Sequence, residues 1–259
     1  MLRSAVFAVL PIALCGVAAG QSAPAIEELV ARNLAARGGA DKIKAVQTIK
    51  ATAKAFVMGG IELPITIYLK RPSSMRFESS IQGKSMIQAF DGTDAWTINP
   101  LTGTDEAKAM SAQETKQMRN NAADSLDGSL LDYKEKGTTL VLTGQEDVEG
   151  SPAYKILVTR KDGSSTYEWL DVRSFLEVKT SGKVTQMGQE VEVETFASDY
   201  RAVAGVMLPY VTDQRLNGQS MMKMTIENVV VNGPVDDALF KFPGAKPEAK
   251  PAEKPAAKK

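Results

Sequence analysis

Apolar and polar side chains alternate along residues 61–70, which is the pattern of a β-strand with one buried face. Arg71 falls on the apolar side of this alternation, and Pro72, which lacks a backbone donor, is expected to end the strand. The apolar alternation then resumes at Met75. We expect one apolar wall with a guanidinium at its rim, which suits an apolar ligand better than bond-breaking chemistry. The wall consists of Ile61, Leu63, Ile65, Ile67, Leu69, Met75 and Phe77.

Similar short strands occupy most of the chain, and turn residues such as Gly59-Gly60 and Asp91-Gly92 separate them. Because the strands follow one another without alternating helices, we expect one antiparallel sheet, and a sheet of this size must curl. The strands are predicted at residues 50–57, 61–70, 74–81, 84–90 and 94–99, and in a second run across residues 138–231.

Helical patterns occur at three places. Residues 25–36 form an amphipathic helix that Gly38-Gly39 should end. Asp41 is expected to cap a short second helix that reaches Ile49. The only long helical pattern in the body of the chain covers residues 105–133.

This long helical segment has one apolar face, since Met110, Met118 and further apolar residues recur at spacings of four or eight. Asn120-Asn121 and Gly128 are expected to divide it into shorter helices. The predicted fold class is therefore mainly β (α+β). It is an antiparallel, partly closed barrel with an N-terminal helix and a helical lid inserted midway.

The two ends of the chain are predicted to lie outside the folded domain. Residues 1–20 read as a signal peptide, with Arg3 before an apolar run and a cut expected after Gly20. Cys15 suggests a lipoprotein alternative, but Leu14 stands where that signal needs a small residue. Residues 245–259 contain only Lys, Pro, Ala and Glu and are expected to be disordered. One domain, residues 21–244, remains, and we expect it to be exported.

Composition excludes several classes of chemistry. The chain has no His and its only Cys is Cys15, so the mature protein lacks Ser–His and Cys–His nucleophiles, thiolate or imidazole metal sites, and disulfides. Without Arg3 and the charged residues beyond Gly244, 25 basic and 29 acidic residues remain, which argues against a nucleic-acid partner. We expect no cofactor and no metal.

Methionines extend the apolar wall, because Met222 and Met224 lie on a predicted strand and Met110 and Met118 on the lid. Flexible, polarisable side chains suit a surface that repacks around variable alkyl chains, although such patterns are more often those of an ordinary core. Arg71 favours the cavity interpretation, since a dry core would leave its guanidinium without a partner.

Carboxylates offer an alternative interpretation as a hydrolase. Glu190, Glu192 and Glu194 share one face of a predicted strand, and paired carboxylates can hydrolyse a glycosidic bond. The pattern favours a solvated strand face, however, because valines alternate with the three glutamates. Asp91 and Asp94 fit the role of turn formers.

Three stretches resemble the LolA-type lipoprotein carriers of the bacterial periplasm. LKRPSSMRF at residues 69–77 resembles that family's Lys-Arg-Pro strand end, and FDGTDAWTINPLTG at residues 90–103 resembles its hairpin before the inserted helices. DDALFKFPGA at residues 236–245 is similar to the closing Phe-x-Phe-Pro signature. The three occur in family order and span most of the mature chain. GVMLPYVTDQ at residues 205–214 looks more like the broader set of homologues that includes LppX, LprG and the sensor RseB.

The resemblance implies an unclosed half-barrel whose concave face the inserted helices cover, and a carrier of acyl chains without catalysis. By this resemblance Arg71 is the residue that latches the lid, while Met75 and Phe77 line the cavity. The implied partners are lipoprotein acyl chains or lipids, with inner-membrane donor and outer-membrane acceptor proteins. We expect a monomer that shuttles its cargo towards the outer membrane. An RseB-like envelope sensor remains the alternative from the same superfamily.

Overall fold

A single antiparallel sheet runs through the computed structural model, which describes residues 24–57, 60–103, 105–186 and 189–243. The predicted signal peptide (1–20) and Lys-rich tail (245–259) lie outside these residues. In the described residues the sheet has thirteen strands. They are β1 (Thr48–Val57), β2 (Ile61–Lys70), β3 (Ser74–Ile81), β4 (Lys84–Phe90), β5 (Ala95–Ile98), β6 (Lys108–Ala109), β7 (Thr139–Val148), β8 (Ser151–Thr159), β9 (Ser165–Asp171), β10 (Glu177–Gln186), β11 (Gln189–Val203), β12 (Val206–Leu216) and β13 (Gln219–Val231).

The strand order shows that the sheet does not close. It runs β6-β5-β4-β3-β2-β1-β13-β12-β11-β10-β9-β8-β7, so β6 and β7 form the two edges. The chain meanders outward from β1 to β6, crosses to the opposite edge, and meanders back until β13 pairs with β1. The predicted fold class is confirmed: the protein is mainly β, an unclosed antiparallel half-barrel with few helices.

In the part of the chain that the structure describes, three α-helices lie on one side of this sheet, which we call the concave face. They are α1 (Ile26–Ala36), α2 (Ala40–Ala45) and α3 (Ala112–Ser125). Leu29 and Val30 of α1 pack on Ile156 and Leu170, near the β7 edge. Toward the β6 edge, α2 and α3 pack on β1–β5, in a cluster that contains Ile43, Met118, Ala122, Ile67, Leu69 and Met75.

The first helix follows the prediction closely. It ends at Ala36, and Gly38 and Gly39 both have positive φ values, of 112° and 99°. Glycine is required at position 38 for two reasons. Its φ is positive, and a Cβ there would lie 2.1 Å from the carbonyl oxygen of Gly205. The end of α1 can therefore approach the β11–β12 turn closely, and Met207 donates its N–H to the carbonyl of Arg37 at 3.0 Å.

The predicted second helix is too long and its cap is misplaced. Gly39 holds the N-cap position, Asp41 lies within the first turn, and the helix ends at Ala45, so Ile49 belongs to β1. Arg71 explains the early end, because its guanidinium binds carbonyls at the end of the helix. Its Nε donates to Val46 O at 2.7 Å, and its Nη2 donates to Ile43 O at 3.0 Å. A cationic donor on these last carbonyls stabilises a helix C-terminus there.

The lid helix is shorter than predicted, and Asn120-Asn121 do not break it. Residues 105–111 include the short strand β6, and α3 covers only Ala112–Ser125. The start is set by a capping box in which Ser111 Oγ accepts from the N–H of Glu114 while the Glu114 carboxylate accepts from the N–H of Ser111. Gly128, with a φ of 72°, lies just beyond the helix end.

The C-terminal segment covers part of the opposite, convex face. The Trp96 indole donates to the carbonyl of Phe240 at 2.8 Å, and Arg76 Nη1 donates to the carbonyl of Leu239 at 2.6 Å. Phe240 is fully buried there, and Phe242 meets Trp96 edge-on. The segment that resembles the Phe-x-Phe-Pro signature thus packs against β3–β5.

Polar contacts fix the C-terminal end of the lid to α1 and to the far half of the sheet. Arg37 donates from Nη1 to the carbonyl of Asp127 at 2.5 Å, and Ser129 Oγ donates to Glu168 Oε2 at 2.6 Å. Arg160, at the end of β8, forms an ion pair with Asp124 in the last turn of α3. These contacts reach the lid from three different elements.

Two carboxyl groups beneath this junction are protonated more readily than usual. Burial raises the pKa of Glu168, and the charge of Asp124 adds to the rise, while Ser129, Arg160 and Arg37 oppose it. Burial and the neighbouring Glu168 likewise raise the pKa of Glu177. A carboxyl whose pKa is raised in the folded state keeps its proton in that state at pH values at which the same carboxyl of the unfolded chain is already ionised. Stability is therefore lost as the pH rises towards the folded-state pKa.

We predict that Glu168→Gln makes the protein less sensitive to alkaline pH. Glutamine keeps an oxygen that accepts from Ser129 but carries no charge, so the variant should gain stability over the native protein between pH 5 and pH 8 by about 1–3 kcal/mol. Denaturant unfolding at several pH values measures this difference. The control is Glu28→Gln, at an exposed residue of α1. A difference between variant and native protein that stays constant across this range would contradict the prediction.

Candidate ligand-binding site

The apolar residues predicted on neighbouring strands share the concave face. Residues directly opposite in an antiparallel pair project to the same side, and Ala55 lies opposite both Leu63 and Met224. Val57 in the same way lies opposite Ile61 and Met222. The same register places Met75 beside Leu69 and Phe77 beside Ile67.

The predicted cavity residues differ in how deeply α3 covers them. Ile67, Leu69, Met75 and Met118 are buried in the cluster beneath α3, and Ile65, Phe77, Met110 and Met224 are partly buried against it. Leu63 and Met222 are half-buried outside that cluster, while Ile61 is 47% exposed. The residues form a continuous surface that is filled at the Leu69 end and open at the Ile61 end. Their role as lining of a lipid cavity stays a prediction.

Arg71 reaches the lid as well as α2. Its Nη2 donates to Asp127 Oδ1 at 2.5 Å, two residues beyond the end of α3, and both side chains are mostly buried. Lys136 lies 3.3 Å from the other oxygen of the same carboxylate. Although burial alone raises the pKa of Asp127, hydrogen bonds and charge from Arg71 and Lys136 lower it overall. The carboxylate therefore stays ionised, and the residue predicted as the latch is bonded to the base of the lid.

A second, polar region of the concave face lies under the other side of α3. An open cleft of about 610 Å³ separates α3 from β9–β13, a volume within the range typical of ligand sites. Its roof is the polar face of the helix, at positions spaced three or four residues apart. The roof is formed by Gln113, Lys116, Gln117, Asn120 and Asn121, and the floor includes Thr166, Gly182, Val184, Val193, Thr195, Gln214 and Leu216.

The cleft is bridged at one end. Asn120 donates to Asp162 Oδ2 at 3.3 Å and to Ser164 Oγ at 3.2 Å, and Lys116 lies 3.1 Å from the same Asp162 oxygen. Hydrogen bonds from the side chain and backbone of Ser164 hold the pKa of Asp162 well below its usual range. The turn between β8 and β9 thus supports α3 at the position where an Asn pair was expected to break it.

The glutamates considered for catalysis lie on the convex face, away from this cleft. Glu190 is 3.3 Å from Lys183, Glu192 accepts from Ser181, and Glu194 pairs with Lys179 on the neighbouring strand. The intervening Val191 and Val193 project to the concave side. Each carboxylate thus has a cross-strand partner, as expected for a solvated strand face.

Asp91 serves as a turn former, as expected. Its Oδ1 accepts from the backbone N–H groups of Thr93 and Asp94, both at 2.9 Å. Within the described ranges, no group of three or more His, Cys, Asp or Glu side chains is arranged to hold a metal ion. Among the same residues, no helix is both long and apolar enough to cross a membrane.

Two features of the concave face were missed from the sequence. The polar cleft combines α3 with five strands, and no local pattern brings these together. Glu168 did carry a signal, because the alternation of β9 places it on the same side as Thr166 and Leu170. A charged residue at an inward-facing position predicts a buried polar group.

Comparison with known proteins identifies the architecture. No protein-family model matches the chain, and no curated protein matches it either. Among solved structures, a DUF1329 family protein from Desulfovibrio piger superposes with a TM-score of 0.56 at 15% identity, covering 83% of this chain and 97% of that one. A putative outer membrane lipoprotein-sorting protein domain from Vibrio parahaemolyticus gives 0.55 at 11% identity, with 82% and 94% covered.

A LolA superfamily protein from Nitrosomonas europaea is similar to the same extent, with a TM-score of 0.52 at 11% identity over 85% of this chain and 98% of that one. At these identities the likeness shows the fold alone. The chain has the fold that the LolA superfamily protein and the putative lipoprotein-sorting domain share, and the resemblance seen in its sequence is confirmed at the level of the fold.

Proposed function

We propose that the mature protein is a periplasmic carrier that binds the acyl chains of lipoproteins or lipids against the concave face beneath α3. The observation that carries the proposal is a strip of apolar side chains that α3 leaves partly uncovered. Leu63, Ile65, Met222 and Met224 are half-buried on adjoining strands, next to the helix that covers the rest of the face. We call this surface the apolar strip.

The energetics suit reversible binding of an alkyl chain. Each methylene moved out of water contributes about 0.8 kcal/mol, so a chain of a dozen carbons offers roughly 9–10 kcal/mol before ordering costs. The two methionines of the strip can adapt to different chains because their side chains are unbranched and polarisable. The proposal includes transfer towards the outer membrane between donor and acceptor proteins, as for LolA-type carriers.

Catalysis is not part of the proposal. Glu190, Glu192 and Glu194 are engaged with neighbouring side chains on the convex face, on the opposite side of the sheet from the apolar strip. Glu168 and Glu177 have raised pKa values beneath the lid, but Arg37, Arg160 and Ser129 hold that cluster as a structural junction.

We predict that protein purified from a periplasm without detergent carries lipid. Native mass spectrometry should show a species heavier than the polypeptide by the mass of one or more acylated molecules, which organic extraction removes. The control is the same protein refolded from denaturant in lipid-free buffer, which should show the polypeptide mass alone. A periplasmic sample that contains only the polypeptide would contradict the carrier, and a co-purified membrane protein without lipid would favour the RseB-like sensor.

We further predict that Asp127→Asn loosens the lid. The substitution weakens the contacts to Arg71 and Lys136 but leaves the bonds from Arg71 to α2 in place. A buried charge-assisted contact of this kind contributes about 1–3 kcal/mol, so an alkyl-chain probe should dissociate about 5- to 100-fold faster. Stopped-flow release of a fluorescent probe and hydrogen exchange of the α3 amides measure the effect.

Two further variants complete this experiment. Arg71→Leu should alter release more than it alters the unfolding midpoint, although it also removes the bonds to Ile43 and Val46. Lys44→Gln is the matched control, because it removes an exposed ion pair between α2 and Asp132 without touching Asp127. Release from Asp127→Asn at the native rate, with α3 exchange unchanged, would refute the latch.

A further inference from the structure

Ser79 places a hydroxyl among the apolar side chains of the concave face. It lies opposite Ile65 on β2 and opposite Met86 on β4, so its side chain projects to the same side of the sheet as these two. Phe77, two residues earlier on β3, shares this side. A polar group therefore lies at the border of the apolar strip, next to Ile65.

The Ser79 hydroxyl has no hydrogen-bond partner in the part of the chain that the structure describes. Its Oγ is the one buried side-chain oxygen or nitrogen of those residues without such a partner. A hydroxyl that loses its bonds to water and gains no other bond destabilises the fold. Because nearly all buried polar groups in proteins are paired, this exception at the edge of a proposed binding surface points to a partner that the ligand supplies.

The next serine of the same strand has the opposite environment. Ser80 lies opposite Ser85, projects to the convex face and is exposed to solvent. Water can therefore bond to the hydroxyl of Ser80, whereas the hydroxyl of Ser79 lies beneath its neighbours. The two serines form a matched pair for an experiment.

The place of Ser79 fits the first carbon of an alkyl chain that lies across the strip. Its cross-strand row continues through Ile65 and Ala53 to Ile226 on β13, which lies two residues from Met224. Three steps between neighbouring strands span roughly 14 Å, a length that an extended chain of about a dozen carbons covers. Met86, directly opposite Ser79, is half-buried and flexible, so it can turn aside when a chain enters.

A carbonyl oxygen is the acceptor that suits this hydroxyl. A serine hydroxyl donates one hydrogen bond, and the carbonyl of an ester or an amide accepts one without donating. An uncharged carbonyl also leaves water for an apolar surface at a far lower cost than a carboxylate or a phosphate does. In the proposed cargo, such a carbonyl is the polar group at the first carbon of every acyl chain.

We propose that the Ser79 hydroxyl donates a hydrogen bond to the ester or amide carbonyl of an acyl group whose alkyl chain lies on the apolar strip. This role rests on the proposed carrier function and deepens it, because it makes Ser79 a specificity-determining residue. Ser79 selects acyl groups over plain alkyl chains, and it sets the point on the strip at which the chain begins.

The test compares two ligands that differ in one oxygen atom. N-phenyl-1-naphthylamine, a neutral fluorescent probe, is bound to the purified mature protein and displaced by methyl decanoate or by 1-methoxydecane, which has a methylene in place of the carbonyl. Ser79→Ala should bind methyl decanoate about 3- to 10-fold more weakly than the native protein does, because one hydrogen bond is lost. Its affinity for 1-methoxydecane should stay within about twofold of the native value.

Two further measurements accompany this comparison. After refolding in lipid-free buffer, Ser79→Ala should unfold in urea at the same midpoint as the native protein or at a higher one, since it removes an unpaired hydroxyl. The matched control, Ser80→Ala, removes the exposed hydroxyl of the next residue and should keep the native affinity for both ligands.

Each contrary result overturns a different statement. An affinity for methyl decanoate that Ser79→Ala leaves unchanged would overturn the role of Ser79 and leave the carrier standing. An equal loss for both ligands would overturn the hydrogen bond to the carbonyl, and a lower urea midpoint would show that the hydroxyl already has a partner in the folded protein. Failure of both ligands to displace the probe from the native protein would overturn the carrier itself.

Discussion

The docking of α3 on the concave face is the constraint on which the rest of the structure depends. The strand order leaves β6 at one edge and β7 at the other, so the chain between them must cross the whole width of the sheet. The crossing segment contacts unlike surfaces on its two sides. Met118 and Ala122 of α3 pack on the apolar half, while Lys116 and Asn120 face the polar half. If α3 were apolar on both sides, it would match only the apolar half of this sheet.

Arginines bind the base of the lid from two directions. Arg37 comes from the end of α1 and Arg71 from the end of β2, and both donate to Asp127, one to its carbonyl and the other to its carboxylate. Gly38 makes the first of these possible, since a side chain there would collide with Gly205. Burial of Glu168 in the same junction costs stability. This cost is small when the carboxyl is protonated and accepts the hydrogen bond from Ser129. The C-terminal end of α3 is therefore held far more firmly than a helix of its length would be by apolar contacts alone.

Local patterns predicted the strands well because each strand has one buried face. The bounds of β3 and β4 follow from alternation and from the Gln82-Gly83 turn, and the end of α1 follows from two glycines. The start of α3 had a local signal too, since Ser111 and Glu114 form a capping box. The residues before Ser111 are equally good helix formers, so composition favoured a longer helix than the cap allows.

The features that the sequence could not predict are determined by contacts between segments that are distant in the chain. The second helix ends where the guanidinium of Arg71 binds its last carbonyls, and that residue lies 25 positions beyond Val46. The cleft likewise joins α3 to strands that follow it in the chain, and its lining appears only when the sheet has formed. Its polar lining is mainly Gln, Asn, Ser and Thr in strands and a helix, a composition that by itself resembles any solvated surface.

In the proposed carrier, the free energies of the two contacts give the apolar strip and the lid separate tasks. An alkyl chain of a dozen carbons gains roughly 9–10 kcal/mol from leaving water, whereas the contact between Arg71 and Asp127 is worth about 1–3 kcal/mol. Affinity for a cargo must then come mainly from the strip, and breaking the lid contact alone would leave most of that affinity in place. In that proposal the same contact raises the barrier to lifting α3 by its full value, and a chain that extends from the strip beneath α3 needs this movement to leave. The proposed carrier would thus use the lid to set how fast cargo exchanges and the apolar strip to set which cargo stays.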